Sequence, residues 1–122
     1  MHIVVTGGAG FLGVRLARTL LAQGSVALAG AAPRPITRLT LVDRAAPPAD
    51  LAGDARVTTV IGDLNALLQP DAQGATPAVP PDTNAVVHLA AAVSGECEAD
   101  FDLGLRSNLD ATRALLQACR AL

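Results

Sequence analysis

The chain has 122 residues and a formal net charge of −2; 51% of its residues are hydrophobic and only 16% charged, so it can bury a core as one domain. Its apolar share is Ala, Leu and Val rather than aromatics, which favours thin layers of helix on sheet. All nine basic residues are Arg, scattered among acids without a stripe for a phosphodiester backbone, and the apolar runs break before the ~18 residues of a membrane span, so neither nucleic acid nor membrane is expected as a partner.

In chain order, "HIVVT" (His2–Thr6) reads as a strand buried on both faces. Glycines follow it, in Gly7-x-x-Gly10-x-x-Gly13. From Phe11 to Gln23, Leu12, Leu16 and Leu20 with Val14, Ala17 and Leu21 recur at helical spacing, and Gly24 is the expected stop. "SVALAGAAPRP" has no period and is taken as a loop or ragged insertion. "TRLTLVD" (Thr37–Asp43) alternates as a second strand, and the Pro-rich "AAPPADLAGD" is a surface connection.

Arg56–Ile61 is a third strand. Asp63 is then placed to cap a short helix, "LNALL", ahead of a loop rich in Pro, Gly and Asp. "NAVVHLAAA" is a fourth strand, and Asp102–Leu122 carries Leu105, Leu109, Thr112, Leu116 and Cys119 at 4-3-4-3 spacing, one stripe of a long helix. Strands alternating with helices predict an α/β fold: a Rossmann-type, doubly wound parallel sheet in the order 3-2-1-4, the single domain 1–122, stopping after about four strands where such sheets normally continue.

A loop between strand and helix offers unpaired N–H groups and the positive end of a helix dipole, which suits an anion. Gly7 permits the tight turn, Gly10 lets a pyrophosphate approach the backbone, and Gly13 lets helix and strand pack closely. A glycine-rich turn with another ligand, or none, has the same spelling. The phosphate loop that ends in Gly-Lys-Ser/Thr is excluded, because the chain has no Lys.

Asp43 at the tip of the second strand would accept hydrogen bonds from both adenosine ribose hydroxyls and repel a 2′-phosphate, which selects NAD over NADP. It lies further past Gly13 than the usual ~20 residues, and the Ala29–Arg38 insertion accounts for the excess. Arg44 beside it is a guanidinium that could tolerate phosphate, and a solvated strand-end acid is the plain alternative for Asp43.

"TGGAGFLG", the strand-end "VD", "GDL" at Gly62–Leu64, "HLAA" at His88–Ala91 and "NLDATR" at Asn108–Arg113 together resemble the N-terminal half of the extended short-chain dehydrogenase/reductase family, the NAD-dependent epimerases and dehydratases. Within it, "LTLVDRAAPP" and "AAAVSGECEADFDLGLRSNLDATR" look most like the D-erythronate dehydrogenase branch. The resemblance implies NAD as cofactor, with Gly7, Gly10, Phe11, Leu12 and Gly13 around the pyrophosphate and Asp43 on the adenosine ribose. It implies Asp63 and Leu64 along the adenine, Leu89, Ala90 and Ala91 beneath the nicotinamide-side ribose, and Asn108 facing the cofactor end of the active site. Bland readings stand beside these: a helix cap for Asp63, mere packing for Ala90–Ala92, a solvated helix residue at Asn108. His88 is read as a satisfied core side chain, without chemistry.

The family's proton transfer uses a Tyr-x-x-x-Lys pair, and this chain has neither residue type, so no catalytic residue is assigned. The expectation is the cofactor-binding half of an NAD-dependent oxidoreductase or epimerase acting on a hydroxylated carbon acid such as D-erythronate, or on a sugar. A stand-alone dinucleotide-sensing module and a methyltransferase-like ligand domain are the alternatives. Cys97 and Cys119 fit no metal spacing, no leader-like segment opens the chain, and a reduced, cytoplasmic protein is expected. An open edge at Ala85–Leu89 and the Leu105/Leu109/Leu116 stripe predict a homodimer or larger assembly.

Overall fold

A computed structural model describes all 122 residues. Four parallel strands form the main sheet: β1 (His2–Thr6), β4 (Arg38–Asp43), β5 (Val57–Ile61) and β6 (Ala85–His88), side by side as β5-β4-β1-β6. Numbered by their own succession these are 3-2-1-4, the order expected of a doubly wound sheet. Ile3 pairs with Leu39 on one side and Ala85 on the other, and Val5 with Leu41 and Val87. Every residue of β1 is buried.

Alternation along the strands divides the core between the two faces. On one face Ile3, Val5, Leu39 and Leu41 meet Ala17 and Leu20 of α1 (Phe11–Gln23), with Ile36 and Leu51 closing the margin. On the other, Val4 and Val42 meet Leu68, Ala78, Val79 and Leu115. Ala78 and Val79 come from the Pro-rich stretch read as plain loop. They reach inward because Ala78 donates its N–H to Leu67 O and Val79 its N–H to the Thr76 hydroxyl.

Four departures from the sequence reading concern local structure. The stretch after Gly24 forms a small antiparallel ribbon, β2 (Ser25–Val26) on β3 (Arg34–Pro35). A one-turn helix, α2 (Ala49–Ala52), interrupts the Pro-rich connection and buries Leu51. The third strand starts at Val57, because Arg56 turns back to bind Asp54 through its backbone N–H, Nε and Nη2.

The fourth departure concerns the long helix. It is present from Phe101 to Arg120 with helical backbone at every junction, but as α5 (Phe101–Gly104), a wide π-helical stretch (Leu105–Asp110) and α6 (Ala111–Arg120), and a separate helix that the sequence did not signal, α4 (Ser94–Ala99), precedes it. Asp100 ends α4 in extended backbone and caps α5 by accepting the Leu103 N–H. The face turned to the sheet is Ala111 and Leu115, whereas Leu109 and Leu116 are 59% and 65% exposed. The spacing located an apolar stripe correctly, but not the one that is buried.

Candidate functional site

Sequence order places the C-terminal tips of β1, β4, β5 and β6 along one edge of the sheet, which is where a doubly wound fold opens a crevice. A cleft of about 280 Å³ lies there, lined by Gly7, Gly10, Asp43, Asp63, Leu64, Leu89, Ala90 and Ala91 among others. The remaining residues singled out by sequence lie around it. Gly13 is buried in the packing behind the loop, and Phe11 and Leu12 hold exposed side chains on the first turn of α1.

The glycine loop makes close contacts that no side chain would permit, at Gly7, Gly8 and Gly13. Gly7 has φ +71°, and a Cβ there would lie 2.8 Å from Ala90 N. A Cβ on Gly13 would come within 2.1 Å of the Gly7 carbonyl oxygen. At Gly10, by contrast, the space is open but for that same carbonyl at 3.3 Å. Gly10 is also the N-cap of α1 and has no side chain to offer, so the Phe11, Leu12 and Gly13 amides have no side-chain acceptor. A helix N-terminus without a side-chain cap, behind an open glycine, has the general chemistry of an anion site.

Asp43 is tied to this loop. Its Oδ2 accepts the Ala9 N–H at 3.0 Å, and its Oδ1 the Ala45 N–H at 3.2 Å. Asp63 caps α3 (Leu64–Leu67), its Oδ1 accepting the N–H groups of Asn65 and Ala66 at 3.0 and 3.3 Å. Its Oδ2 accepts from Arg44 Nη2 at 2.7 Å, and that guanidinium holds the carboxyl below the usual carboxylate range. The cap anticipated from sequence is therefore present, and the carboxylate still stands in the cleft wall.

The floor beneath Leu89–Ala92 is fixed by a chain of polar groups. Thr6 Oγ1, fully buried, accepts the Leu89 and Ala90 N–H groups at 3.3 Å each and lies 2.6 Å from His88 Nδ1. His88 Nε2 lies 3.2 Å from Thr112 Oγ1, whose proton goes to the Asn108 carbonyl at 2.7 Å. With the Thr112 proton so committed, that oxygen accepts from Nε2, so the network assigns the Nε2–H tautomer. Burial lowers the His88 pKa, because desolvation disfavours the charged ring. His88 is thus the satisfied structural histidine that the sequence suggested.

Asn108 does not line the cleft. Its Oδ1 accepts the Ala92 N–H at 2.8 Å while its Nδ2 donates to the Ala92 carbonyl at 3.0 Å, a two-way clasp on the backbone just past the floor. The residue beside it, Ser107, does reach the cleft, as do Glu96, Leu103, Asn65 and Arg44. Sequence reasoning did not single out Ser107, Glu96 or Leu103: Glu96 lies on α4, a helix the sequence did not signal, and Ser107 lies in a π-helical stretch that a regular helix would not contain. Arg44 was signalled by its place beside Asp43.

Among curated proteins, the D-erythronate dehydrogenase of Cupriavidus necator is 54% identical over 122 residues, all of this chain and 35% of that enzyme. Among solved structures, a nucleoside-diphosphate-sugar epimerase from Agrobacterium tumefaciens is 34% identical with a TM-score of 0.72, covering 99% of this chain and 32% of that one. The dTDP-glucose 4,6-dehydratase DesIV of Streptomyces venezuelae, solved with NAD bound, is 26% identical with a TM-score of 0.70, over 97% of this chain and 35% of that one. The chain therefore spans about a third of the length of these relatives. The profile of the NAD dependent epimerase/dehydratase family matches residues 3–122, and the chain belongs to that family.

Proposed function

We propose that this chain is the NAD-binding portion of an oxidoreductase that acts on a hydroxylated carbon acid, D-erythronate being the substrate favoured by the identity to the Cupriavidus necator enzyme. One observation carries the reading. The Asp43 carboxylate, the open Gly10 and the uncapped start of α1 share one cleft, with the carboxylate bonded to the loop itself.

A bound NAD supplies a hydride acceptor at its nicotinamide. The chain's own residues bind and orient it. The Phe11, Leu12 and Gly13 amides would donate to the pyrophosphate, with Gly7 and Gly13 keeping the loop close to the sheet. Asp43 would accept from the adenosine ribose hydroxyls, and Asp63 and Leu64 would hold the adenine. Leu89, Ala90 and Ala91, on the floor pinned by Thr6, would hold the nicotinamide-side ribose, and Asn108 would act as a positioning residue through Ala92.

The chain has no Trp or Tyr, so NADH fluorescence can be followed without strong protein background. NADH should bind saturably and be displaced by NAD but not by S-adenosylmethionine. Displacement by S-adenosylmethionine alone would replace the dinucleotide reading with that of a methyltransferase-like domain. With no Tyr and no Lys, these 122 residues should not oxidise D-erythronate by themselves; sustained turnover in a pure preparation would refute this assignment of the acid–base chemistry to residues outside them.

A further inference from the structure

Four charged side chains line the cleft: Asp43, Arg44, Asp63 and Glu96. Arg44 is the single cation. It follows Asp43 directly, so its backbone leaves the strand tip beside the carboxylate assigned to the adenosine ribose. A free guanidinium at that place would receive a 2′-phosphate through charge-assisted, bidentate hydrogen bonds. Arg44 is not free. Its Nη2 is bonded to Asp63 Oδ2 at 2.7 Å, and Asp63 is anchored by the two N–H groups of α3 that its other oxygen caps.

We infer that Asp63 is a cofactor-selectivity residue: by holding Arg44 against the start of α3, it withholds the cleft's one cation from a 2′-phosphate and leaves Asp43 unopposed. The inference rests on the dinucleotide reading above and extends it from Asp43 to a residue on another strand–helix turn. Asp43 repels the phosphate of NADP, while Asp63 prevents Arg44 from offsetting that repulsion. Contacts of Asp63 with the adenine are common to both dinucleotides and cancel in the ratio of their affinities. The Arg44 and Asp63 side chains are 66% and 46% exposed, so the latch is solvent-screened and of modest strength.

The test is a titration of the 122-residue chain with NADH and NADPH in parallel, followed by nucleotide fluorescence. Asp63→Asn keeps an oxygen for the α3 cap but removes the charge that holds Arg44, and Asp63→Ser is a second cap-preserving variant should the first fold poorly. Either should shift the NADPH-to-NADH affinity ratio toward NADPH by about two- to fivefold, a size in keeping with a screened ion pair. Adding Arg44→Ala to the variant should abolish the gain.

An unmoved ratio in both folded variants, with NADH still bound by the wild type, would overturn the inference and leave the dinucleotide reading standing. A gain that survives Arg44→Ala would overturn it too. Binding of neither nucleotide by the wild type would remove the dinucleotide reading and this inference together.

Discussion

Asp43 and Ala9 are joined across two strand ends: the carboxylate at the tip of β4 accepts the backbone N–H in the middle of the glycine loop at 3.0 Å. This bond makes the acid part of the loop's own scaffolding as well as part of the cleft wall. Asp43→Ala therefore removes two things, the partner of the ribose hydroxyls and one tether of the loop. NADH affinity should fall by about 1–3 kcal/mol, the size of a hydrogen bond to a charged group left unmade. Fluorescence titration measures it, and equal affinity of wild type and variant would remove Asp43 from the binding site.

The crowded Gly13 should be distinguishable from the open Gly10 by stability alone. Gly13→Ala drives a methyl to within 2.1 Å of the Gly7 carbonyl oxygen, and since that atom is backbone, the loop or α1 must move. Urea unfolding should show a loss of about 3 kcal/mol, the upper end of overpacking costs. Gly10→Ala meets only one atom, at 3.3 Å, and should cost ~1 kcal/mol at most. Its larger effect should be on NADH binding, because the methyl projects where the phosphate would approach. Equal stability losses at positions 10 and 13 would contradict the packing described.

The strands, their order and the extent of α1 were legible because each rests on a strong local rule. β-branched runs end in glycine, apolar residues recur at helical spacing, and sequential parallel strands have one favoured handedness. The Asp63 cap was legible for the same reason. What could not be read was which side of an apolar helix faces inward. In Asp102–Leu122 nearly every face carries Leu, Ala or Cys, so Leu105, Leu109 and Leu116 form as regular a stripe as Ala111 and Leu115. The choice between them depends on the π-helical stretch Leu105–Asp110, whose wider turn departs from the 3.6-residue period on which the stripe was read. Ser107 reaches the cleft and Asn108 the Ala92 backbone for that reason. The burial of Ala78 and Val79 was equally hidden, since it depends on hydrogen bonds to Leu67 and Thr76 rather than on any period.

At the opposite end of the sheet, His2 supplies a pH dependence that is separate from the cleft. Its ring is buried, with Nε2 2.8 Å from Thr40 Oγ1 and Nδ1 3.2 Å from Asp82. Burial, with help from Arg38 and the N-terminal ammonium, lowers its pKa from 6.5 to about 4. Between those values the unfolded chain binds the proton and the folded chain does not, so protons favour unfolding. Stability should decline as the pH falls from about 6.5 to about 4, and this contribution should level off below. Urea midpoints across that range, for the wild type and for His2→Gln, measure it. A variant with the same pH slope as the wild type would assign the dependence to other groups.

The last helix makes a prediction about association. Phe101, Leu109 and Leu116 are 72%, 59% and 65% exposed, and with Leu105 they spread over the side of the α5–α6 segment turned from the sheet. β6 is moreover an edge strand, bonded to β1 on one side only. Apolar area on this scale gains about 25 cal/mol for each Å² removed from water, and an open strand edge adds unpaired N–H and C=O groups that another chain can satisfy. The chain should therefore self-associate, which light scattering over a range of concentrations detects. The two surfaces can be separated by substitution. Leu109→Glu with Leu116→Glu places charge on the helical face without touching the buried Ala111 and Leu115, so a shift of this double variant to a 12.3 kDa monomer would assign association to the helix. Association that persists unchanged, and is disrupted only when Val86 on β6 is replaced by Pro in a chain that still folds, would assign it to the strand edge. A wild type that stays monodisperse at 12.3 kDa at high concentration would contradict both.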